Sequence, residues 1–168
     1  MDEQGVVPEA IDFEVGKVVS SRWRVERKLG VGGCGVVYEV RDLQTPSKQS
    51  LAALKVETNN QEDGGVLKIE AEVLKRLQDR KHTIRLLQAG KRPDYSFVVL
   101  TLCGPDLLKL KETRNLARFS ESTTLRLGVL VLYSIKQLHE VGYIHRDIKP
   151  GNVTLGWEPR GQSPLLPH

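Results

Sequence analysis

The segment 143–152, Tyr-Ile-His-Arg-Asp-Ile-Lys-Pro-Gly-Asn, limits most strongly what this chain can fold into. An apolar helix pattern precedes it, and its consecutive proline and glycine stop a helix from continuing, so a loop is predicted here. Within six residues this loop carries Asp147, Lys149 and Asn152. Any fold of the chain must therefore hold a carboxylate, an ammonium group and a carboxamide together on a non-helical segment.

These three side chains suit the movement of a phosphoryl group. Asp147 can accept a proton from a hydroxyl, Lys149 can hold a phosphate as a point charge, and Asn152 can give a metal ion an oxygen ligand. Catalysis of such transfers consists mostly of positioning and charge neutralisation. A polar turn after a helix is the simpler interpretation and would be preferred for a lone Asp or Asn. The full string His-Arg-Asp-x-Lys-Pro-x-Asn is too long to favour a chance match.

The composition of the chain permits a packed domain. Its 168 residues are 39% hydrophobic and 27% charged, which disfavours general disorder and suits one domain or a piece of a larger one. The net charge of +4 is small, and there is no dense run of basic residues with interleaved aromatics. Binding to nucleic acid is therefore not predicted.

The cysteines and the N-terminal residues bear on the compartment. Cys34 and Cys103 have no metal-ligand spacing and are too few for a disulfide scaffold, which fits a reducing environment. The first residues are acidic and lack an apolar run, so no signal peptide is predicted. No apolar stretch reaches 18 residues, so no membrane span is expected. These features favour a cytoplasmic or nuclear protein with no membrane partner.

A glycine-rich segment lies between two strand patterns. Residues 30–35 contain four glycines; an alternating apolar pattern begins at Trp23 before them, and Val-Val-Tyr follows them. Such a hairpin would let backbone N–H groups approach phosphate oxygens. The spacing Gly-x-Gly-x-x-Gly is shared with Rossmann loops, but those open a helix, whereas a strand follows here. A flexible hairpin without a ligand remains the alternative.

Two charged residues in apolar settings are predicted to pair. Lys55 lies in the otherwise apolar strand predicted over 51–56, where an unpaired charge is costly. Glu70 lies on the apolar stripe of a helix predicted over 66–77, and no basic residue is three or four positions from it. An ion pair between them would satisfy both groups. The alternatives are a Lys55 that reaches water from a sheet edge and a Glu70 at the margin of the stripe.

The remaining elements complete two predicted lobes. Further strands are predicted over 83–89 and 95–102, and the Cys-Gly-Pro-Asp segment after them is predicted to begin the second lobe. There, a short helix precedes a long one over 123–139, which Ser120 can cap. The predicted divisions are a leader over 1–19, a first lobe over 20–102, the start of a second lobe over 103–156, and an irregular tail over 157–168. In the leader, the apolar residues Val6, Val7, Ile11 and Phe13 could anchor parts of it to the first sheet.

From about residue 23 to residue 156, the ordered motifs resemble the first half of a eukaryotic protein kinase domain. The order is glycine loop, strand lysine, helix glutamate, hinge and catalytic loop. The hinge at 102–105, Leu-Cys-Gly-Pro, is similar to the Leu-Leu-Gly-Pro of the casein kinase superfamily. The tau-tubulin kinase branch of that superfamily has sequences similar to segments 66–70, 122–128 and 148–152 of this chain. The resemblance implies an α+β, protein kinase-like fold, with a complete small lobe of five antiparallel strands and one helix and a truncated helical large lobe.

The resemblance also implies a reaction. A serine/threonine kinase transfers the γ-phosphoryl group of ATP to a hydroxyl of a protein substrate, with ATP and Mg²⁺ as cofactors. Asp147 would be the catalytic base, Lys149 would contact the γ-phosphate, and Asn152 would bind one Mg²⁺ ion.

ATP-binding roles follow from the same resemblance. Lys55 would bind the α- and β-phosphates and be positioned by Glu70, and Leu100 would be the gatekeeper. Val37 and Ala53 would pack on the adenine, while Thr101 and Cys103 would offer it backbone hydrogen bonds. The complete predicted set is Gly30, Val31, Gly32, Gly33, Cys34, Gly35, Val37, Ala53, Lys55, Glu70, Leu100, Thr101 and Cys103.

The sequence departs from the family pattern after the catalytic loop. No aspartate follows Asp147, so the Asp-Phe-Gly motif, whose aspartate is the main magnesium ligand of the family, is missing. We therefore expect about half a kinase domain. The alternative function is a catalytically inactive fragment that binds nucleotide weakly or engages partners. The helix over 123–139 would then lack part of its cover, which predicts poor solubility or association with a chaperone.

Overall fold

The computed structural model describes residues 11–32, 35–45, 50–59 and 65–156. The predicted anchors Val6 and Val7, the glycine-loop residues Gly33 and Cys34, and the predicted tail lie outside these ranges. Contacts divide the chain into two compact units. The first contains residues up to 72 together with 86–100, and the second contains 73–85 together with the residues from 101 onward. The lobe boundaries given above remain predictions.

The first unit is built on a six-stranded sheet with the order β1-β2-β3-β4-β6-β5. Its strands are β1 (Val18–Val19), β2 (Trp23–Gly32), β3 (Gly35–Asp42), β4 (Leu51–Thr58), β5 (Leu86–Lys91) and β6 (Tyr95–Thr101). The pairs β1–β2, β2–β3, β3–β4 and β5–β6 are antiparallel. The five predicted strands are present, although β5 begins at Leu86 and not at the predicted residue 83, and the two-residue β1 adds a sixth at the edge.

Alternation along β3 and β4 separates a buried face of the sheet from a more open one. In β3 every second side chain is buried, because successive residues of a strand point to opposite faces. Tyr38 and Leu54 are fully enclosed in the main core, together with Val99 of β6. Phe13 stacks on Tyr38 with ring centroids 5.4 Å apart, and its N–H donates to the Tyr38 hydroxyl at 2.8 Å. The predicted anchoring of the leader by Phe13 is confirmed.

Helix α1 (Val66–Arg76) packs on the sheet through a separate apolar cluster. Leu67 and Ala71 of α1 are buried against Val98 of β6, with Leu86 and Leu100 at the margin. These α1 positions lie on the apolar stripe that the sequence predicted, because residues four apart share a helix face. The predicted helix is confirmed, to within one residue at its end.

The second unit contains the long helix and the loop with Asp147. Its elements are β7 (Cys103–Asp106), α2 (Leu107–Thr113), α3 (Glu121–Glu140), a short 3-10 helix (Pro150–Asn152) and β8 (Thr154–Gly156). β7 and β8 form a two-stranded antiparallel sheet. Ser120 caps α3 as predicted, because its hydroxyl accepts from the N–H of Thr123 at 3.2 Å. Asp106 caps α2 in the same way, by accepting from Lys109 N–H at 2.8 Å.

Helix α3 is attached on one side and open on another. Gln137, its one fully buried residue, donates to the carbonyl of Lys81 at 2.6 Å. The stripe formed by Leu125, Val129 and Leu132 is exposed instead. This exposure agrees with the expectation that the helix lacks part of its cover.

Within the described ranges, no helix is both long enough and apolar enough to cross a lipid bilayer.

Candidate active site

The predicted ion pair between β4 and α1 is present. Lys55 Nζ lies 2.6 Å from Glu70 Oε2, and both side chains are partly buried. The bond joins residues 15 positions apart, one on a strand and one on a helix. It satisfies two charges for which helical and strand spacing offered no local partner. The prediction of the pair is confirmed, while the role of Lys55 in phosphate binding stays a prediction.

Val37, Ala53 and Lys55 share the more open face of the sheet. Val37 lies directly opposite Lys55 in the β3–β4 register, and Ala53 is two residues before Lys55 on the same strand. Directly paired residues, and residues two apart on a strand, point to the same side. The first unit thus places two small apolar groups beside the ammonium group. That arrangement fits a flat ring next to phosphates.

The two strands that flank the glycine-rich segment pair with each other, as predicted. Gly30 pairs with Val37, Val31 with Val36, and Gly32 with Gly35. Gly35 has a φ of 115°, and a Cβ built there would lie 2.0 Å from the carbonyl oxygen of Val56. Only glycine fits at this position, because both the backbone angle and the approach to β4 exclude a side chain. Gly30, Val31 and Gly32 are exposed, so their backbone is accessible to a ligand.

The predicted gatekeeper, Leu100, and the two residues predicted to contact adenine, Thr101 and Cys103, occupy different settings. Leu100, on the first unit, is partly buried against the Leu67 cluster. Thr101 donates its N–H to the carbonyl of Arg85 at 3.0 Å, so only its carbonyl oxygen remains as a backbone group for adenine. The Cys103 thiol contacts that carbonyl at 3.8 Å, which is a weak interaction. The Thr101 backbone can therefore act toward a ligand as an acceptor, and the adenine contacts of Thr101 and Cys103 stay predictions.

Three side chains of the predicted catalytic loop lie close together. Lys149 Nζ lies 2.9 Å from Asp147 Oδ2. Asn152 Nδ2 donates to the same oxygen at 2.8 Å and to the Asp147 backbone carbonyl at 2.9 Å. The 3-10 helix that begins at Pro150 gives Asn152 this position. One carboxylate oxygen is thus held by an ammonium group and a carboxamide.

The electrostatics of this cluster keep the carboxylate charged. The hydrogen bond from Lys149, followed by that from Asn152, lowers the pKa of Asp147. The Asp147 N–H donates to Nδ1 of His145 at 3.3 Å, and the intervening Arg146 has a left-handed φ of 65°. An ionised, exposed carboxylate can accept a hydrogen bond or a proton from an incoming hydroxyl.

The described residues fit a divalent cation only in part. Asn152 uses its amide nitrogen on Asp147, which leaves Oδ1 as the atom that could bind a cation; amide oxygens are suitable ligands for Mg²⁺. In the described ranges no group of three or more His, Cys, Asp or Glu side chains could hold a metal alone. This donor set agrees with an ion held largely by a nucleotide's phosphates and water.

Sequence reasoning missed one residue beside the predicted pair. Glu57, two positions after Lys55 on β4, accepts hydrogen bonds from the N–H groups of Val66 at 3.3 Å and Leu67 at 3.0 Å. Its partners are backbone groups, which leave no side-chain signature in a sequence. The sequence signal that could have revealed Glu57 is a second charged residue on the same face of β4 as Lys55.

Comparison with known proteins identifies the family. The sequence matches the protein kinase domain family over residues 23–160. A Caenorhabditis elegans protein named as a serine/threonine-protein kinase is 43% identical over 144 residues, covering 86% of this chain and 41% of that protein. A C. elegans protein named as a casein kinase I is 27% identical over 143 residues, covering 84% and 41%. Human serine/threonine-protein kinase VRK2 is 30% identical over 169 residues, covering 88% and 32%.

Each of these matches covers only part of the relative. The chain spans less than half the length of each of these three relatives. The match covers all strands of the sheet except β1, all three helices and the loop with Asp147. Use of ATP and of a divalent metal ion is general in this family. The chain belongs to the protein kinase family, and its first unit corresponds to the sheet and helix of a kinase small lobe.

Proposed function

We propose that this chain is part of a serine/threonine protein kinase that transfers the γ-phosphoryl group of ATP to a hydroxyl of a protein substrate. The observation that carries the proposal is the cluster in which Lys149 and Asn152 both contact Oδ2 of Asp147. A base, a phosphate-binding cation and a metal ligand are thereby within one loop. Phosphoryl transfer requires these groups, because its catalysis depends on positioning and charge neutralisation.

Each residue of the cluster has a separate task. Asp147, held ionised by its neighbours, orients the substrate hydroxyl and accepts its proton as that oxygen bonds to the γ-phosphorus and ADP leaves. Lys149 neutralises charge on the transferred phosphoryl group, since its flexible ammonium group can contact a phosphate while remaining near Asp147. Asn152 offers Oδ1 to the metal. When bound, ATP supplies the phosphoryl group, and the metal, for which we propose Mg²⁺, neutralises its phosphates.

The first unit supplies nucleotide binding in this proposal. Lys55 contacts the α- and β-phosphates, and Glu70 keeps its ammonium group in place. The exposed backbone of the glycine hairpin covers the phosphates, and Val37 and Ala53 pack on the adenine.

We further propose that the chain belongs to the tau-tubulin kinase branch of the casein kinase superfamily. Support comes from segments 66–70, 122–128 and 148–152 and from the relative named as a casein kinase I. The proposed partners are a protein substrate and a chaperone, the latter because α3 exposes an apolar stripe. The proposed compartment is the cytoplasm or the nucleus.

A second candidate function is a weak nucleotide-binding or interaction module without catalysis. The observation that favours it is the sequence itself, which holds no aspartate after Asp147. Loss of a single transition-state contact typically costs ~10²–10³ in rate. A polypeptide of these 168 residues is therefore expected to bind adenine nucleotide weakly, with little dependence on magnesium, and not to phosphorylate protein.

Two measurements separate the candidates. Transcript sequencing across Gly156 shows whether an Asp-Phe-Gly motif is encoded downstream of Leu155; its presence favours the kinase. Transfer of labelled γ-phosphate from ATP to a generic acidic protein is then measured for the 168-residue chain and for any longer form, each with its Asp147→Asn control. Transfer by a longer form that the control loses supports the kinase. A longer form that binds ATP without transfer overturns it, and transfer by the 168 residues overturns the second candidate.

A further inference from the structure

We propose that Glu57 is a positioning residue: it fixes the start of α1 on β4 and thereby holds Glu70 within reach of Lys55. The consequence for ATP rests on the proposed function, whereas the consequence for α1 does not. Nothing in the family motifs used above assigns a role to this glutamate. In this role it acts through the backbone of α1 and the side chain of Glu70, and not by contacting substrate or nucleotide.

The contacts of Glu57 are those of a helix cap supplied from another element. Its carboxylate is buried and accepts from the N–H groups of Val66 and Leu67, the first two residues of α1. The first N–H groups of a helix have no partner within the helix and carry a partial positive charge. Helix α1 has no acidic residue in its own first turn. The carboxylate of Glu57 supplies the negative charge there, and hydrogen bonds to an ionised acceptor are among the stronger ones.

Glu57 and Lys55 together give α1 two polar attachments to one strand. They are two residues apart on β4 and therefore point to the same side of the sheet. Glu57 contacts the start of α1, and Lys55 contacts Glu70 about one turn further along. A single contact would let a helix rotate or slide about that point. Two contacts one turn apart fix both its rotation and its position along β4.

The apolar packing of α1 does not do this alone. Leu67 and Ala71 are buried on Val98, and burial of apolar surface holds the helix against the sheet. Such burial is non-directional, so it tolerates small shifts of the helix along the sheet. The directional bonds of Glu57 set which residue of α1 faces Lys55.

Gly65 shows how closely the carboxylate approaches the helix start. It has a φ of 75°, and a Cβ built there would lie 2.7 Å from Glu57 Oε2. A side chain at this position is disfavoured by the backbone angle and would displace the carboxylate. Gly65→Ala therefore perturbs the same contact without removing the charge. Two chemically different changes are expected to have one effect.

The first test measures α1 directly and needs no nucleotide. Hydrogen exchange of the amides in 66–71 is compared among wild type, Glu57→Gln and Gly65→Ala. The matched control is Asp42→Asn, another buried carboxylate, held by Arg22 and Gln44 at the opposite end of the β3–β4 pair. We expect exchange to rise ~10-fold in both test variants, because charge-assisted caps are lost. We expect the control to lower global stability and leave exchange in α1 unchanged under native conditions.

The second test asks whether Glu57 acts on the Lys55–Glu70 pair. The rate at which an amine-reactive acylating reagent modifies Lys55 is measured by mass spectrometry. We expect Glu57→Gln to raise it toward the rate of Glu70→Gln, with partial rescue in Glu57→Asp, while Asp42→Asn leaves it unchanged. ATP affinity of the wild-type chain should fall ~5-fold in Glu57→Gln, yet change little when Glu70→Gln is already present, because interacting residues are not additive.

Each outcome of these tests bears on a separate part of the proposal. Equal exchange in Glu57→Gln and Asp42→Asn would overturn the proposal, because Glu57 would then contribute only stability. Unchanged acylation of Lys55 in Glu57→Gln would also overturn it. Fully additive losses of ATP affinity with Glu70→Gln would overturn the link to nucleotide. A wild-type chain that binds no ATP contradicts the proposed function alone, and exchange and acylation still decide the role of Glu57.

Discussion

The two units support their candidate site residues to different extents. In the first unit, the side chains of Lys55 and Glu70 are 22% and 28% exposed, and the opposite face of β4 contributes to a closed core. In the second unit, the side chains of Asp147 and Lys149 are 58% and 57% exposed. The same kind of ion pair is thus partly shielded in one unit and solvated in the other. Because water weakens exposed pairs, Lys55 and Glu70 should be held more rigidly than Asp147 and Lys149.

The largest expected effect concerns the shielded pair. Lys55→Met, in a form of the protein that transfers phosphate, should lower the transfer rate by ~10²–10³ or more, because the phosphate contact proposed for Lys55 would be lost from the transition state. The variant also leaves Glu70 without its basic partner. The rate is measured with labelled ATP. Near wild-type transfer would show that Lys55 does not have its assigned role. The two ion pairs would then not differ in the way that the comparison expects.

Two matched leucine substitutions, one in each unit, should lower the free energy of unfolding by different amounts. Leu54→Ala, at a residue with 0% exposure in the first unit, is expected to cost about 2–5 kcal/mol of unfolding free energy, because it opens a cavity. Leu132→Ala, at 68% exposure on α3, should change it by less than about 0.5 kcal/mol. Urea titrations measure both. Similar costs at the two sites would mean that α3 is covered in solution.

Acid should affect the carboxylates of the two units differently. Asp42, buried and hydrogen-bonded by Arg22, has its pKa lowered from 3.8 to about 2. A pKa lowered by folding contributes stability that is present above pH ~4 and is lost as the pH falls from about 4 toward 2, with a total of about 2 kcal/mol. Asp42→Asn should flatten this part of the stability curve. Asp147→Asn should flatten it less, because water weakens the exposed contacts that lower the pKa of Asp147, and the reverse pattern would contradict the comparison.

The smallest expected change in stability is at the exposed stripe of α3. Leu132→Lys should change the unfolding free energy by less than about 0.5 kcal/mol while lowering the binding of a hydrophobic dye, because exposed apolar patches bind such dyes. The wild-type chain should bind the dye and be poorly soluble. Dye fluorescence of the two proteins is the measurement, with Lys68→Ala on α1 as a surface control. A wild-type chain that stays monomeric, melts cooperatively and binds no dye would show that the stripe is covered.

A contact can be predicted from the sequence when the side chains of both partners belong to a recognisable pattern. The Lys55–Glu70 pair was predictable, because helical spacing left Glu70 without a local base. The hairpin was predictable, because strand patterns flank its glycines. Glu57 was not, because its partners are backbone N–H groups of an element beyond a polar loop. Pairing of β7 with β8 was not, because strands of four and three residues carry too little periodicity to identify partners about 50 positions apart.

The left-handed backbone of Arg146 has an energetic consequence for the loop that follows. A residue with a side chain pays roughly 1–2 kcal/mol to occupy this region, and such strain persists only where the surroundings enforce it. The hydrogen bonds from Asn152 to Asp147, directly after Arg146, are well placed to enforce it. The loop is therefore not a relaxed turn that happens to carry three useful groups. Its geometry is a higher-energy conformer, and loss of the Asn152 contacts would release Arg146 to conformations in which Asp147 points elsewhere.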